Sequence, residues 1–174
     1  MERDELRQLQ APLKDRYKTE PRAALLTLSA TGALGEGVSC SLTAGHAIAQ
    51  AGLHPAAGGD GSLLCSGDML LQALVACAGV TLSAVATSLE IPIPSGHIRA
   101  EGDLDFRGTL GVDRDAPVGF SHIRLSFELD TDASEEQLAT LCKLTERYCV
   151  VYQTLASATT LTTTLATEGA RGGS

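Results

Sequence analysis

Tryptophan is absent from this 174-residue chain, and only three Phe and three Tyr are present. A core without large rings has to be built from Leu, Val, Ile and Ala, and the 44% apolar content is enough to argue against disorder. No apolar leader is expected, since the first ten residues, MERDELRQLQ, are charged from the second position onward. The expected location is therefore the cytoplasm, where thiols stay reduced and disulfides are transient and catalytic. There is no surplus of positive charge either. Thirteen Lys and Arg stand against 21 Asp and Glu, for a formal charge of −8. That balance argues against a nucleic-acid partner and against docking on an anionic membrane. The five cysteines, at positions 40, 65, 77, 142 and 149, are odd in number and include no C-x-x-C pair. Neither a disulfide framework nor a zinc ribbon is expected, and no metal or cofactor. A last absence is local: no Arg or Lys lies between Arg22 and Arg99.

What is present reads as one α+β domain, the size expected for a chain of this length. Residues 2–19 are charged and helical in character, which suggests an N-terminal helical extension over 1–20 ahead of a single domain at 21–167. Residues 23–31 read as a strand, Gly32, Gly35 and Gly37 as a turn, and residues 38–50 as one or two further strands. The segment 51–67, AGLHPAAGGDGSLLCSG, is a Gly-rich loop. Residues 66–90 follow as a long helix with Ser66 as N-cap and Asp68 in the first turn. No charged side chain occurs from Met69 to Leu89, and apolar residues fall on every side, so burial all round is expected. A membrane span is the rival reading by length, but Gln72, Thr81, Ser83, Thr87 and Ser88 dilute it and no aromatic belt flanks it.

Pro92 and Pro94 end that helix, and residues 96–106 and 120–130 alternate apolar and polar as half-buried strands do, with a loop at 107–118. Ser134 with Gln137 forms a capping box for a helix running towards Tyr148. CVVYQTLA continues helically or turns, and the Thr-rich residues 158–166 suggest a final strand. Residues 168–174 are expected to be a disordered tail. A Cys inside an apolar helix usually packs as a small hydrophobe. Cys142, on the same face as Leu138 and Leu141, is read that way, and Cys40 and Cys65 receive no role.

Two segments carry a resemblance. SGDMLLQALVACAGVTLSAVA resembles the central helix of the OsmC/Ohr family, the osmotically inducible and organic hydroperoxide resistance proteins. Its acidic residue, Asp68, precedes Cys77 by nine positions. LTERYCVVYQTL is similar to the family's second motif, with Cys149 in the cysteine position. The resemblance covers about residues 22–166. It implies antiparallel sheets wrapped around a long buried central helix, an intertwined homodimer, and active sites at the subunit interface. It also implies reduction of organic hydroperoxides or hydrogen peroxide, with Cys77 as peroxidatic thiol, Cys149 as resolving thiol and an external dithiol as reductant. In the family an Arg holds the thiolate and a carboxylate orients that Arg. This chain departs from the pattern in the cation-free stretch noted above. Arg22 is the first candidate for the cation, with Arg16, Arg147 and His54 as others, and Asp68 is the candidate orienter. Two other functions stay open: a non-catalytic module binding a small apolar ligand, and a redox sensor. A thiol titration of Cys77 separates the first from an enzyme.

Overall fold

A computed structural model describes residues 2–20, 23, 25, 27, 31–34, 39–44, 47–111 and 113–165. A charged helix, α1 (Arg3–Thr19), comes first. Strands β1 (Thr31–Leu34), β2 (Ser39–Ala44) and β3 (Ala47–Gly52) form an antiparallel meander, and the short β4 (Leu64–Cys65) joins its edge parallel to β3. Most of the strand expected at 23–31 lies outside the described residues, and Gly32, read as part of a turn, sits inside β1. The Gly-rich loop holds a single 3₁₀ turn at Pro55–Ala57.

Helix α2 (Ser66–Leu89) is the long apolar element the sequence announces. Its N-cap is Cys65 rather than Ser66, which is already helical, and no side chain caps it. Its buried residues are Leu74, Ala78, Leu82 and Ala86, one stripe at four-residue spacing, so the expectation of burial all round fails within a single chain. The physical reason is that, among the described residues, α4, β5 and α5 make the main contacts with the helix, with smaller ones from α1 and β4, and these leave one flank uncovered. The opposite flank, at Ala73, Ala76, Val80 and Ser83, is exposed. Among the described residues α2 is the one helix long and apolar enough to cross a membrane.

Beyond α2, β5 (Ser95–Leu104) and β6 (Phe120–Asp130) pair antiparallel, from Ser95 opposite Asp130 to Leu104 opposite Phe120, with one irregularity at Asp103/Leu104. Ile98, Ala100, Ile123, Leu125 and Phe127 alternate inward, as period-two patterning requires. At the irregular end the Phe120 ring lies over Gly102, where an added Cβ would sit 2.6 Å from the ring. The loop expected at 107–118 contains a short helix, α3 (Phe106–Thr109). Asp105 caps it, accepting the Arg107 backbone N–H at 3.0 Å.

The chain closes with α4 (Glu135–Tyr148) and α5 (Val150–Ala156). The Ser134/Gln137 capping box is formed in both directions. Cys149 alone separates the two helices, as C-cap of one and N-cap of the other. The final strand expected at 158–166 is not formed in the described part, 158–165: among the described residues no strand pairs with it, and Leu161 and Leu165 are 89% and 92% exposed. Thr-rich β propensity has no effect without a neighbour to pair with. The core is two clusters along α2. In one, Leu82, Ala86 and Ile91 pack on Leu141. In the other, Leu74 and Ala78 pack on Cys149. Leu141→Ala is expected to cost about 2–5 kcal/mol, read as a fall in the urea midpoint.

Candidate functional site

Two sulfurs separated by 72 positions in sequence, Cys77 and Cys149, meet where α5 docks on α2. Cys149 is carried there by the break between α4 and α5. Its backbone is extended (φ −74°, ψ 110°), and its Sγ accepts the Tyr152 backbone N–H at 3.5 Å. The side chain is 1% exposed. Cys77 is half-buried and packs against the same cluster beside Val151 and Tyr152. At about 100° per residue, Cys77 and Thr81 fall between the buried stripe of α2 and its open flank. The sulfur therefore sits at the boundary between core and uncovered surface. Both cysteines are free thiols, as are Cys65 and Cys142.

The surroundings drive the two thiols in opposite directions. Burial pushes Cys77 up. It is outweighed by the Val151 backbone N–H, the Cys149 thiol, the Val150 backbone N–H and the Thr81 side chain, all of which favour the anion, so Cys77 lies below the ordinary thiol value. Burial is also the largest influence on Cys149. The Tyr152 N–H opposes it, but the hydrogen bond from Cys149 to Cys77 and the charge of the Cys77 thiolate reinforce it, so Cys149 is held above the ordinary value. Of the two neighbouring thiols, Cys77 is thus the one that ionises more readily and Cys149 the one that holds its proton more tightly. On this pattern Cys77 reacts first with an alkylating reagent: at pH 7, iodoacetamide followed by peptide mapping is expected to label Cys77 well before Cys142 and Cys149.

The remaining candidates are placed less centrally. Asp68 is exposed in the first turn of α2. Nine residues are two and a half turns, so Asp68 lies about 13 Å along the axis from Cys77 and on the opposite side of the helix. Within one chain it does not orient a group at that sulfur. Arg22 lies outside the described residues. Arg16 faces Glu20 at 3.6 Å on α1. Arg147 is exposed, with its guanidinium 5.6 Å from the Tyr148 ring centroid. His54 accepts the Ala56 N–H at 3.0 Å and stacks on Phe106 with ring centroids 5.0 Å apart. Among the described residues, the groups that lower the Cys77 thiol against the effect of burial are neutral donors and not a cation.

Cys142, expected in the core, is exposed. The buried positions of α4 are Leu141 and Thr145, and Cys142 is turned about 100° away from Leu141. Burial of its sulfur and the Glu146 carboxylate, 3.9 Å away, hold that thiol up, which makes it a poor nucleophile. A cavity of about 440 Å³ is lined by Leu74, Phe120, Leu125 and Tyr152 together with the polar His122 and Glu146, among others, and neither Cys77 nor Cys149 is part of its wall. It shares Leu74 and Tyr152 with the cluster around Cys149. Among the described residues no group of His, Cys, Asp and Glu is arranged to hold a metal ion.

The sequence places Thr81 at helical spacing from Cys77 but gives it no role, and it gives no sign of the N–H groups of Val150 and Val151. The backbone donors depend on a helix break with no Gly or Pro to announce it.

The family model for OsmC-like proteins matches residues 59–164. No curated protein sequence matches the chain. Among solved structures, an OsmC-like protein from Mycoplasma pneumoniae superposes with a TM-score of 0.64 at 19% identity, over 75% of this chain and 88% of its own. An organic hydroperoxide resistance protein from Legionella pneumophila gives 0.59 at 17% identity, over 76% and 90%. The organic hydroperoxide resistance protein OhrB of Bacillus subtilis gives 0.51 at 21% identity, over 75% and 90%. At these identities the structures speak for a shared fold. With the family model spanning more than half the sequence, and Cys77 and Cys149 both inside it, the chain belongs to the OsmC-like family.

Proposed function

We propose that the protein is a thiol-dependent peroxidase that reduces organic hydroperoxides through Cys77 and Cys149. The observation that carries this reading is the contact between the two thiols, with Cys77 shifted towards its anion and Cys149 towards its protonated form. The Cys77 thiolate attacks the nearer peroxide oxygen, and the O–O bond breaks. The alkoxide leaves and takes up a proton as the alcohol, and the sulfur becomes a sulfenic acid. The Cys149 thiol then condenses with it, forming the Cys77–Cys149 disulfide and releasing water. An external dithiol reduces the bridge by exchange, is itself oxidised to a disulfide, and restores both thiols. The cavity of about 440 Å³, which shares Leu74 and Tyr152 with the Cys149 cluster, is lined by apolar residues together with Ser121, His122 and Glu146, and has room for a hydroperoxide with a hydrocarbon body. The organic hydroperoxide resistance proteins of Legionella pneumophila and Bacillus subtilis support the same substrate class by analogy of fold.

The working unit in this reading is a homodimer. The exposed flank of α2 is apolar and bordered by small residues, Ala73, Ala76 and Ser83, and Cys77 stands at its margin. A second copy covering that flank would close the site from the open side. The peroxidase reading is tested by mixing reduced protein with cumene hydroperoxide and dithiothreitol. Catalytic loss of peroxide is expected, with Cys77 consumed as a free thiol. Peroxide decaying at the uncatalysed rate while Cys77 stays free would overturn the reading.

A further inference from the structure

The cavity of about 440 Å³ draws its walls from several elements: Leu74 on α2, Leu125 and Phe127 on β6, Cys142 and Glu146 on α4, and Tyr152 on α5. The last three are polar groups that meet. Cys142 and Glu146 stand four positions apart on one face of α4, with the thiol sulfur 3.9 Å from Oε1 of the carboxylate. Tyr152 comes to them across the α4–α5 corner, which the Gln153 side chain fixes by donating to the Glu146 carbonyl at 2.9 Å. Burial first, and then the charges of Glu146 and Cys142, hold the Tyr152 phenol above its ordinary value, as expected of groups at close range. These groups are short of partners. Glu146 is half-buried, yet among the described residues no Lys, Arg or His forms an ion pair with it. Its carboxylate has only a thiol, a weak donor, as hydrogen-bond partner there. The half-buried Tyr152 hydroxyl has no partner among the described residues, and no described Lys or Arg lines the cavity.

We propose that this cavity is a binding site for a small organic cation, an ammonium group on a compact hydrocarbon or aromatic body, with Glu146 as the residue that selects the charge. A carboxylate partly withdrawn from water without a counter-charge regains free energy when a cationic donor reaches it, and a charge-assisted hydrogen bond is the stronger kind. The Tyr152 hydroxyl is free to accept from the same ammonium, and the aromatic rings of Tyr152 and Phe127 suit both a cation and an apolar body. The volume lies in the range of small-molecule sites. An anionic ligand of the same shape meets the Glu146 charge with no Lys or Arg in the described wall to offset it. The site does not depend on the peroxidase reading, since neither Cys77 nor Cys149 lines it. It touches the thiol pair through Tyr152, whose backbone N–H donates to the Cys149 sulfur at 3.5 Å.

The test is calorimetric titration of the reduced full chain with 2-phenylethylammonium, and with 3-phenylpropionate as an anion of similar shape, at matched ionic strength. The cation is expected to bind saturably, one per chain, and the anion not to bind. Glu146→Gln keeps the shape and removes the charge, and it is expected to weaken cation binding by about tenfold or more, the size of a hydrogen bond to a charged group. Ala156→Phe, at an exposed position of the cavity wall, keeps the carboxylate and takes up the space, and it is expected to abolish binding. Folding of both variants is checked by circular dichroism. No saturable binding of the cation to the parent, equal binding of cation and anion, or parent-like affinity in either folded variant would overturn the site. Cumene hydroperoxide turnover, measured on the same samples, reports on the peroxidase reading separately: a chain that binds the cation but turns over no peroxide keeps the site and loses that reading.

Discussion

Cys77→Ser is expected to bring hydroperoxide consumption down to the uncatalysed rate, a loss of several orders of magnitude, as when a nucleophile is removed from a catalytic unit. A serine hydroxyl at that position is neutral at pH 7, so neither the N–H groups of Val150 and Val151 nor Thr81 have an anion to hold. Cys149→Ser should behave differently. Ser keeps an acceptor for the Tyr152 N–H, so the N-cap of α5 is retained. The first turnover survives, and one equivalent of peroxide is consumed. The protein is then expected to stall as a Cys77 sulfenic acid, trapped by dimedone, which excess peroxide drives on to the irreversible sulfinic acid. Equal loss in both variants would contradict the division of labour between the two thiols. Mass spectrometry of the intact protein after one equivalent of cumene hydroperoxide distinguishes the outcomes.

Val80→Asp should convert a dimer to a monomer or render the chain insoluble. Val80 is 74% exposed in the single chain and makes no part of either core cluster. A polar substitution at so open a position would ordinarily change stability by about 0.5 kcal/mol or less. If a second copy covers this flank of α2, the new carboxylate is instead taken out of water without a partner, a cost of several kcal/mol. Sedimentation velocity is expected to show a parent of about twice 18.0 kDa and a variant of 18.0 kDa. A monomeric parent, or a variant that sediments like a dimeric parent, would contradict the proposed assembly. The same experiment bears on the membrane alternative, since a spanning α2 would require detergent for either form.

Local chemistry made much of this fold readable. The apolar run without charge from Met69 to Leu89 announced α2, strict alternation announced β6 over residues 120–130, and the Ser134/Gln137 pair announced the start of α4. Expectations failed where the outcome depends on what lies opposite. The uncharged character of α2 is equally compatible with one covered face or with all faces covered, and only the packing partners decide. The residues at 158–165 have strand composition but, among the described residues, no neighbouring strand. Cys142 has the same sequence environment as Leu141, yet a rotation of about 100° places it outside the core. At the site, the two cysteine positions followed from the resemblance and their contact from the fold. Asp68 was assigned by sequence distance, and helix geometry separates it from Cys77. The donors to Cys77 come largely from backbone N–H groups exposed by the break at Cys149, and backbone groups leave no residue signature.

The account depends on oxidation at Cys77 being captured by Cys149. The most direct measurement is peptide mapping of the reduced protein after reaction with one equivalent of organic hydroperoxide. The account predicts a single cross-linked species joining the peptide of Cys77 to that of Cys149, which dithiothreitol reverses. Recovery of Cys77 as an unmodified thiol, or a bridge that joins other cysteines and omits Cys149, would contradict it.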